Sequence, residues 1–251
     1  MQHLYILTGA SRGLGAAMAD QLLSPAHRLL CISRSASAGL LQRAGDRGAD
    51  CQTWSLDLSD PGTASARLQA WLQAEDPNRL SGATLINNAA TVSGTGPIDG
   101  AEDAELSAAL RVSLEAPLLL CAAFLRATRG WQLPKRVLNI SSGLGRRAMA
   151  AQAIYCAAKA GLDHGTRALA LDEALQPHGA RVVSLAPGVI DTDMQEQLRT
   201  STAAGFPDRA QFIAMKTGGQ LASAAQAAAK VLAYLERPDF GAHPVADIRD
   251  A

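Results

Sequence analysis

Short apolar runs alternate with longer stretches in which apolar positions recur every three to four residues, from one end of the chain to the other. The runs predict strands at His3–Leu7, Arg28–Ser33, Cys51–Leu56, Thr84–Ile86, Arg136–Ile140, Arg181–Leu185 and Ala242–Ile248. The periodic stretches between them predict helices at Gly13–Leu23, Leu40–Arg47, Ala64–Leu72, Ala104–Arg129, Ala151–Leu175 and Ala222–Leu235. Strands that are apolar throughout are buried on both faces, and intervening helices supply the cover. The expected architecture is an α/β fold: one doubly wound domain over residues 1–251, with a mostly parallel seven-stranded sheet and helices on both faces. Local punctuation agrees. Ser59 before Asp60-Pro61 suits a helix start, Ser223 with Gln226 fits a capping box, and Gly179 closes the long helix before the next strand. The least regular stretch, about 191–219, contains Gly205, Pro207 and Gly218-Gly219 and reads as a lid-like insertion after a strand end.

Composition narrows the function classes. Lysine plus arginine and aspartate plus glutamate number 23 each, so nothing calls for nucleic acid or an anionic membrane surface. No run of about 18 apolar residues is expected to span a bilayer. Met1 is followed almost at once by the first strand, which leaves no room for a leader. Cys31, Cys51, Cys121 and Cys156 share no metal-like spacing, so reduced thiols in a cytoplasmic protein without a metal site are expected.

The candidate chemistry sits in two places. Thr8-Gly9-Ala10-Ser11-Arg12-Gly13-Leu14-Gly15 joins the first strand to the first helix, the position of a Rossmann dinucleotide loop. Its glycines allow a tight turn and close backbone approach to a pyrophosphate, which the helix N-terminus attracts. The second strand ends in Ser33-Arg34 rather than an acid, which suits the 2′-phosphate of NADP(H), with Arg12 as a second positive charge. Asp57-Leu58, at the third strand's end, is placed to face the adenine. Farther along, Tyr155 and Lys159 lie one helical turn apart on a shared face, and Ser142 stands thirteen residues upstream at a strand end. A hydroxyl, a phenol and an ammonium so placed can converge on one carbonyl oxygen and deliver a proton to it.

Taken in order, the glycine loop, Asn87-Asn88-Ala89-Ala90, Ser142, Tyr155-x-x-x-Lys159 and Pro187-Gly188 resemble the short-chain dehydrogenase/reductase family over nearly the whole chain. The stretch Leu185–Gln195 and Gly241-Ala242-His243 resemble its sepiapterin reductase branch, which includes enzymes that reduce aromatic diketones such as benzil. The resemblance implies an NADPH-dependent carbonyl reductase acting on a small ketone or dicarbonyl, of diketone or pterin side-chain type. Tyr155 is then the acid and Ser142 the holder of the carbonyl oxygen. Lys159 lowers the phenol pKa and holds the nicotinamide ribose. Asn88, Ala89 and Pro187 join the cofactor site, and Ile190 and Thr192 fix the carboxamide. Gly188, Gln152, Met194 and Asp247 fall on the substrate side, Asp247 matching the acid that anchors a pterin ring in that branch. Two positions depart from the pattern. Ser113 replaces the relay asparagine, whose backbone carbonyl holds a water; Pro117 lacks an N–H, which leaves the Ser113 carbonyl free and equally suits a plain helix kink. Gln152 replaces an aromatic residue facing substrate. A homodimer or homotetramer pairing the two long central helices is expected, and the alternative function is a non-catalytic NADP(H)-binding redox sensor.

Overall fold

A computed structural model describes residues 1–35, 39–92, 95–202 and 205–250. Seven strands run through it: β1 Gln2–Thr8, β2 His27–Ser33, β3 Asp50–Ser55, β4 Leu80–Asn87, β5 Lys135–Ile140, β6 Arg181–Ala186 and β7 Val245–Asp247. Nine α-helices lie between them: α1 Gly13–Leu22, α2 Leu40–Asp46, α3 Pro61–Gln73, α4 Asp103–Leu110, α5 Ala116–Thr128, α6 Ala153–Ala174, α7 Asp193–Thr200, α8 Arg209–Thr217 and α9 Ala224–Leu235. The strand order is β3-β2-β1-β4-β5-β6-β7, and all six pairings are parallel, not merely most of them. The order reverses direction between β1 and β4, which opens a crevice at the carboxyl ends of the strands.

Alternation along each strand explains the two-sided core. Tyr5 and Leu7 of β1, with Leu29 and Cys31 of β2, face one layer built with Leu14 and Met18 of α1 and Ala227 and Val231 of α9. The intervening Leu4, Ile6, Leu30 and Ile32 face the other layer, with Leu68 of α3 and Leu120 and Phe124 of α5. Strands buried on both sides cannot alternate apolar with polar, hence the continuous apolar runs.

Several boundaries differ from expectation for identifiable reasons. Asp60, not Ser59, caps α3, its side chain accepting from the Thr63 N–H with Pro61 in the first turn. Ser223 and Gln226 do form the reciprocal capping box of α9. The long helix ends at Ala174; His178 takes a left-handed φ of 58°, and a Cβ on Gly179 would lie 1.9 Å from the Glu173 carbonyl oxygen. The expected helix Ala104–Arg129 runs from Asp103 to Thr128 and widens to a π-turn over Arg111–Glu115, where the Ala116 N–H reaches back to the Arg111 carbonyl. Pro117 supplies no N–H immediately after this turn, the ordinary cause of such a break. By length and composition this helix is apolar enough to cross a bilayer, which corrects the expectation that no such run exists; its buried face, including Leu120 and Phe124, packs in the core.

The 191–219 segment is more regular than its composition suggests. It folds into α7 and α8, whose Leu198, Phe206 and Phe212 make a small core of their own with Met149, Ala151 and Met215. Asp191 pairs with Arg199 of α7 and with Lys216 of α8, tying both helices to the end of β6.

Candidate active site

The glycine loop is fitted to the end of β4. A Cβ on Gly15 would lie 2.0 Å from the Gly9 carbonyl oxygen, and one on Gly9 would lie 2.9 Å from Ala89 Cα. Gly9 has a φ of 70°, which a side chain would strain as well. Asn88 closes the joint, donating from its side chain to the carbonyls of Thr8 (3.0 Å) and Gly9 (3.2 Å), while the Asn88 and Ala89 N–H groups donate to Thr8 Oγ1 at 3.0 Å. The N-terminus of α1 carries no side-chain cap, and Gly13, Leu14 and Gly15 of its first turn line the crevice, where leading N–H groups suit a pyrophosphate. Ser33 and Arg34 line the same crevice at the end of β2. The Asp57 carboxylate accepts from the Ser59 N–H at 2.9 Å, and Leu58 is buried beside it. Arg12 lines the crevice as well and pairs at its exposed edge with Asp193 at 2.9 Å, linking the loop to α7.

At the carboxyl end of β5, Ser142 caps a short turn, its Oγ accepting from the Leu144 N–H at 3.2 Å. Tyr155 and Lys159 occupy the first two turns of α6, with Lys159 Nζ 5.7 Å from the Tyr155 ring centre. That ammonium is 2% exposed and donates to the Ile140 carbonyl at 2.8 Å. Burial lowers its pKa to about 8, against the opposing pull of Asp163. Burial likewise raises the Tyr155 phenol to about 12, with the Ser142 hydroxyl drawing it down. Burial is the larger of these two influences on the phenol.

Of the expected site residues, all but Ser113 line one cleft of about 880 Å³. The Ser113 side chain is buried and exchanges hydrogen bonds with the Thr91 backbone, accepting from its N–H at 3.1 Å and donating to its carbonyl at 3.2 Å. At the substrate end, Gln152 caps α6 and folds its amide back onto the Ala151 carbonyl at 3.0 Å. Pro187, Gly188, Ile190 and Thr192 follow β6 into the cleft, and Met194 enters it from α7. Asp247 is 8% exposed and held by Arg249 at 2.6 Å and Arg146 at 3.3 Å; hydrogen bonding from Arg249 keeps its carboxyl below the usual range. His164 is exposed and takes no part in the site.

Residues 3–203 match the short chain dehydrogenase family. The chain belongs to this family. Its relatives include a benzil reductase ((S)-benzoin forming) of Bacillus cereus, 35% identical, the match covering 94% of each chain. The sepiapterin reductase of Rattus norvegicus is 33% identical over 95% of this chain and 94% of its own. Among solved structures, a short-chain dehydrogenase/reductase from Burkholderia vietnamiensis superposes with a TM-score of 0.64 at 35% identity, covering 99% of this chain and 98% of that one. As a short-chain dehydrogenase the protein is an oxidoreductase of a family that binds a nicotinamide cofactor.

Some site residues carried no signal in the reading of the sequence. Phe212 and Met215 reach the cleft from α8, and Met149 from the loop before α6. Nothing local marks them, because their placement depends on how α7 and α8 fold back. Asp163 had a readable cue: it lies four residues after Lys159 on a helix, hence on the same face. Asn87 and Asn139, bonded to each other at 2.9 Å between β4 and β5, form a buried polar bridge beneath the cleft.

Proposed function

We propose that this short-chain dehydrogenase is an NADPH-dependent carbonyl reductase acting on a small, largely apolar dicarbonyl. The observation that carries the reading is the meeting of Ser142, Tyr155 and Lys159 in one cleft with the uncapped N-terminus of α1 and its glycine loop. The cofactor, when bound, supplies the hydride. The residues of the chain do the rest. Gly9, Gly13 and Gly15 let backbone approach the pyrophosphate, and Arg34 meets the 2′-phosphate. Ser142 donates to the substrate carbonyl oxygen as charge develops there. Tyr155, protonated at neutral pH, gives its proton to that oxygen. Lys159, charged below about pH 8, lies beside the phenol and favours the phenolate left behind.

Two features favour a diketone over a pterin. Met149, Met194, Leu198, Phe212 and Met215 line the cleft from α7, α8 and the loop before α6, with Gln195, Gln197 and Gln211 among them, which gives an aryl ring apolar side chains to pack on. Asp247, which would anchor a pterin ring, already holds two arginines. Loss of NADPH absorbance with benzil, and a smaller rate with sepiapterin, is the expected outcome. Tyr155→Phe is expected to abolish turnover while leaving NADPH binding nearly intact. A Phe variant that reduces benzil at the wild-type rate refutes the assignment of the acid. A wild-type protein that binds NADPH and reduces no carbonyl is a redox sensor instead.

A further inference from the structure

Beneath the cleft floor lies a carboxylate to which proton delivery, as described, assigns no part. Asp163 is 1% exposed and sits one turn after Lys159 on α6. Its Oδ1 accepts from two hydroxyls, Ser141 Oγ at 2.5 Å and Ser184 Oγ at 2.6 Å. Ser141 directly precedes Ser142 at the end of β5, and Ser184 belongs to β6. Its Oδ2 is buried and finds no hydrogen-bond partner among the described residues. The turn that follows Ser142 presses on that oxygen: a Cβ on Gly145 would lie 2.6 Å from Asp163 Oδ2 and 3.0 Å from the Lys159 carbonyl oxygen.

A buried carboxylate with one oxygen unsatisfied is unfavourable unless an opposite charge lies close by. The opposite charge here is the Lys159 ammonium. The groups around it are few. From β5 it meets the Ile140 carbonyl, and on its own helix it has the Tyr155 ring beside it and Asp163 one turn on, beyond direct ion-pair distance, which acts on it through space. From β6 only the neutral Ser184 hydroxyl reaches the carboxylate. Residues Ala108 and Val112, which line the cleft from the helix that includes α4, carry no charge.

We propose that Asp163 is a positioning residue for proton delivery: its carboxylate ties the ends of β5 and β6 beneath Ser142 and supplies the negative charge that holds the Lys159 side chain as an ammonium. This rests on the reading of Tyr155 and Lys159 as the proton-delivery pair. The two roles separate experimentally. Asp163→Asn keeps an acceptor for the hydroxyls and removes the charge, whereas Ser184→Ala removes a hydroxyl and leaves the charge. A negative neighbour raises the pKa of an amine, so its loss lowers it.

Side-chain NMR of Lys159 is therefore expected to show its titration midpoint lower by one pH unit or more in Asp163→Asn. The alkaline limb of the kcat/KM profile with benzil should move down by the same amount. Ser184→Ala should leave both in place. An unmoved midpoint in Asp163→Asn, or an equal movement in Ser184→Ala, overturns the proposal. Should Asp163→Asn fail to fold, a carbon-13 NMR titration of the wild type decides: the Asp163 carboxyl signal is expected to move with the Lys159 midpoint, and a Lys159 titration that leaves it unmoved overturns the proposal. Absence of benzil turnover in the wild type defeats the reductase reading and leaves the NMR titration as an independent test of the Asp163–Lys159 coupling.

Discussion

Replacing Lys159 with Met should separate stability from function in this fold. The ammonium is 2% exposed, and its pKa falls from an ordinary 10.5 to about 8. At ~1.4 kcal/mol per pKa unit, keeping that charge buried at pH 7 costs about 3 kcal/mol. The cost depends on pH in a defined direction. Between pH 8 and 10.5 the unfolded chain holds the lysine proton and the folded chain has released it, so wild-type stability rises with pH across that window. Met has nothing to titrate. It also loses the bond to the Ile140 carbonyl, at a cost of ~1 kcal/mol that pH does not alter. Lys159→Met also leaves the buried Asp163 carboxylate without its counter-charge, so the expectation concerns the pH dependence and not the sign at pH 7. Wild-type stability relative to the variant should rise by about 2–3 kcal/mol between pH 7 and pH 10. Tyr155, raised from 10.0 to about 12, sets the upper limit of the measurement, since above pH 10 its own titration works in the opposite sense. Urea unfolding of both proteins at half-unit steps from pH 7 to 10 reads the difference directly, and turnover of the variant should be lost throughout. A stability difference that stays flat across the window refutes the account of a buried ammonium destabilised by desolvation.

Two further outcomes follow from named residues. Arg34→Ala should lower kcat/KM for NADPH by about ten- to a hundredfold, the worth of a charge-assisted hydrogen bond, and leave NADH nearly unchanged; equal losses with both nucleotides would remove Arg34 from phosphate recognition. His3 is bonded to Thr84 at 2.8 Å, and burial lowers its pKa to about 4. The folded chain resists a proton that the unfolded chain accepts below pH 6.5, so stability should fall as pH drops from 6.5 towards 4. Replacing His3 with Gln should flatten that part of the urea profile, and an unaltered slope would place the acid sensitivity elsewhere.

What the sequence made legible here follows the range of the interactions involved. Strands buried on both faces are apolar at most positions in succession, so the runs from His3 to Leu7 and from Arg136 to Ile140 announced themselves, and the helices between them dictated parallel pairing. The glycine loop and the Tyr155–Lys159 pair were readable because each is a local geometry, a turn too tight for side chains and a single helical turn. Long-range packing was not readable. Pro117 signalled a missing donor, but whether the helix kinks or widens depends on neighbours; it widens over Arg111–Glu115, and the Ser113 hydroxyl binds the Thr91 backbone. That α7 brings Asp193 to Arg12 in the glycine loop was likewise beyond local reading. The electrostatics of the acid were hidden for the same reason. The spacing of Tyr155 and Lys159 shows that they can meet, but how far burial shifts each group is set by the packing around it, and that packing belongs to the whole fold. Tyr155 lines the open cleft while Lys159 is buried below it, so the charge state of the lysine answers to what is packed beneath the cleft, which no spacing along the helix reveals.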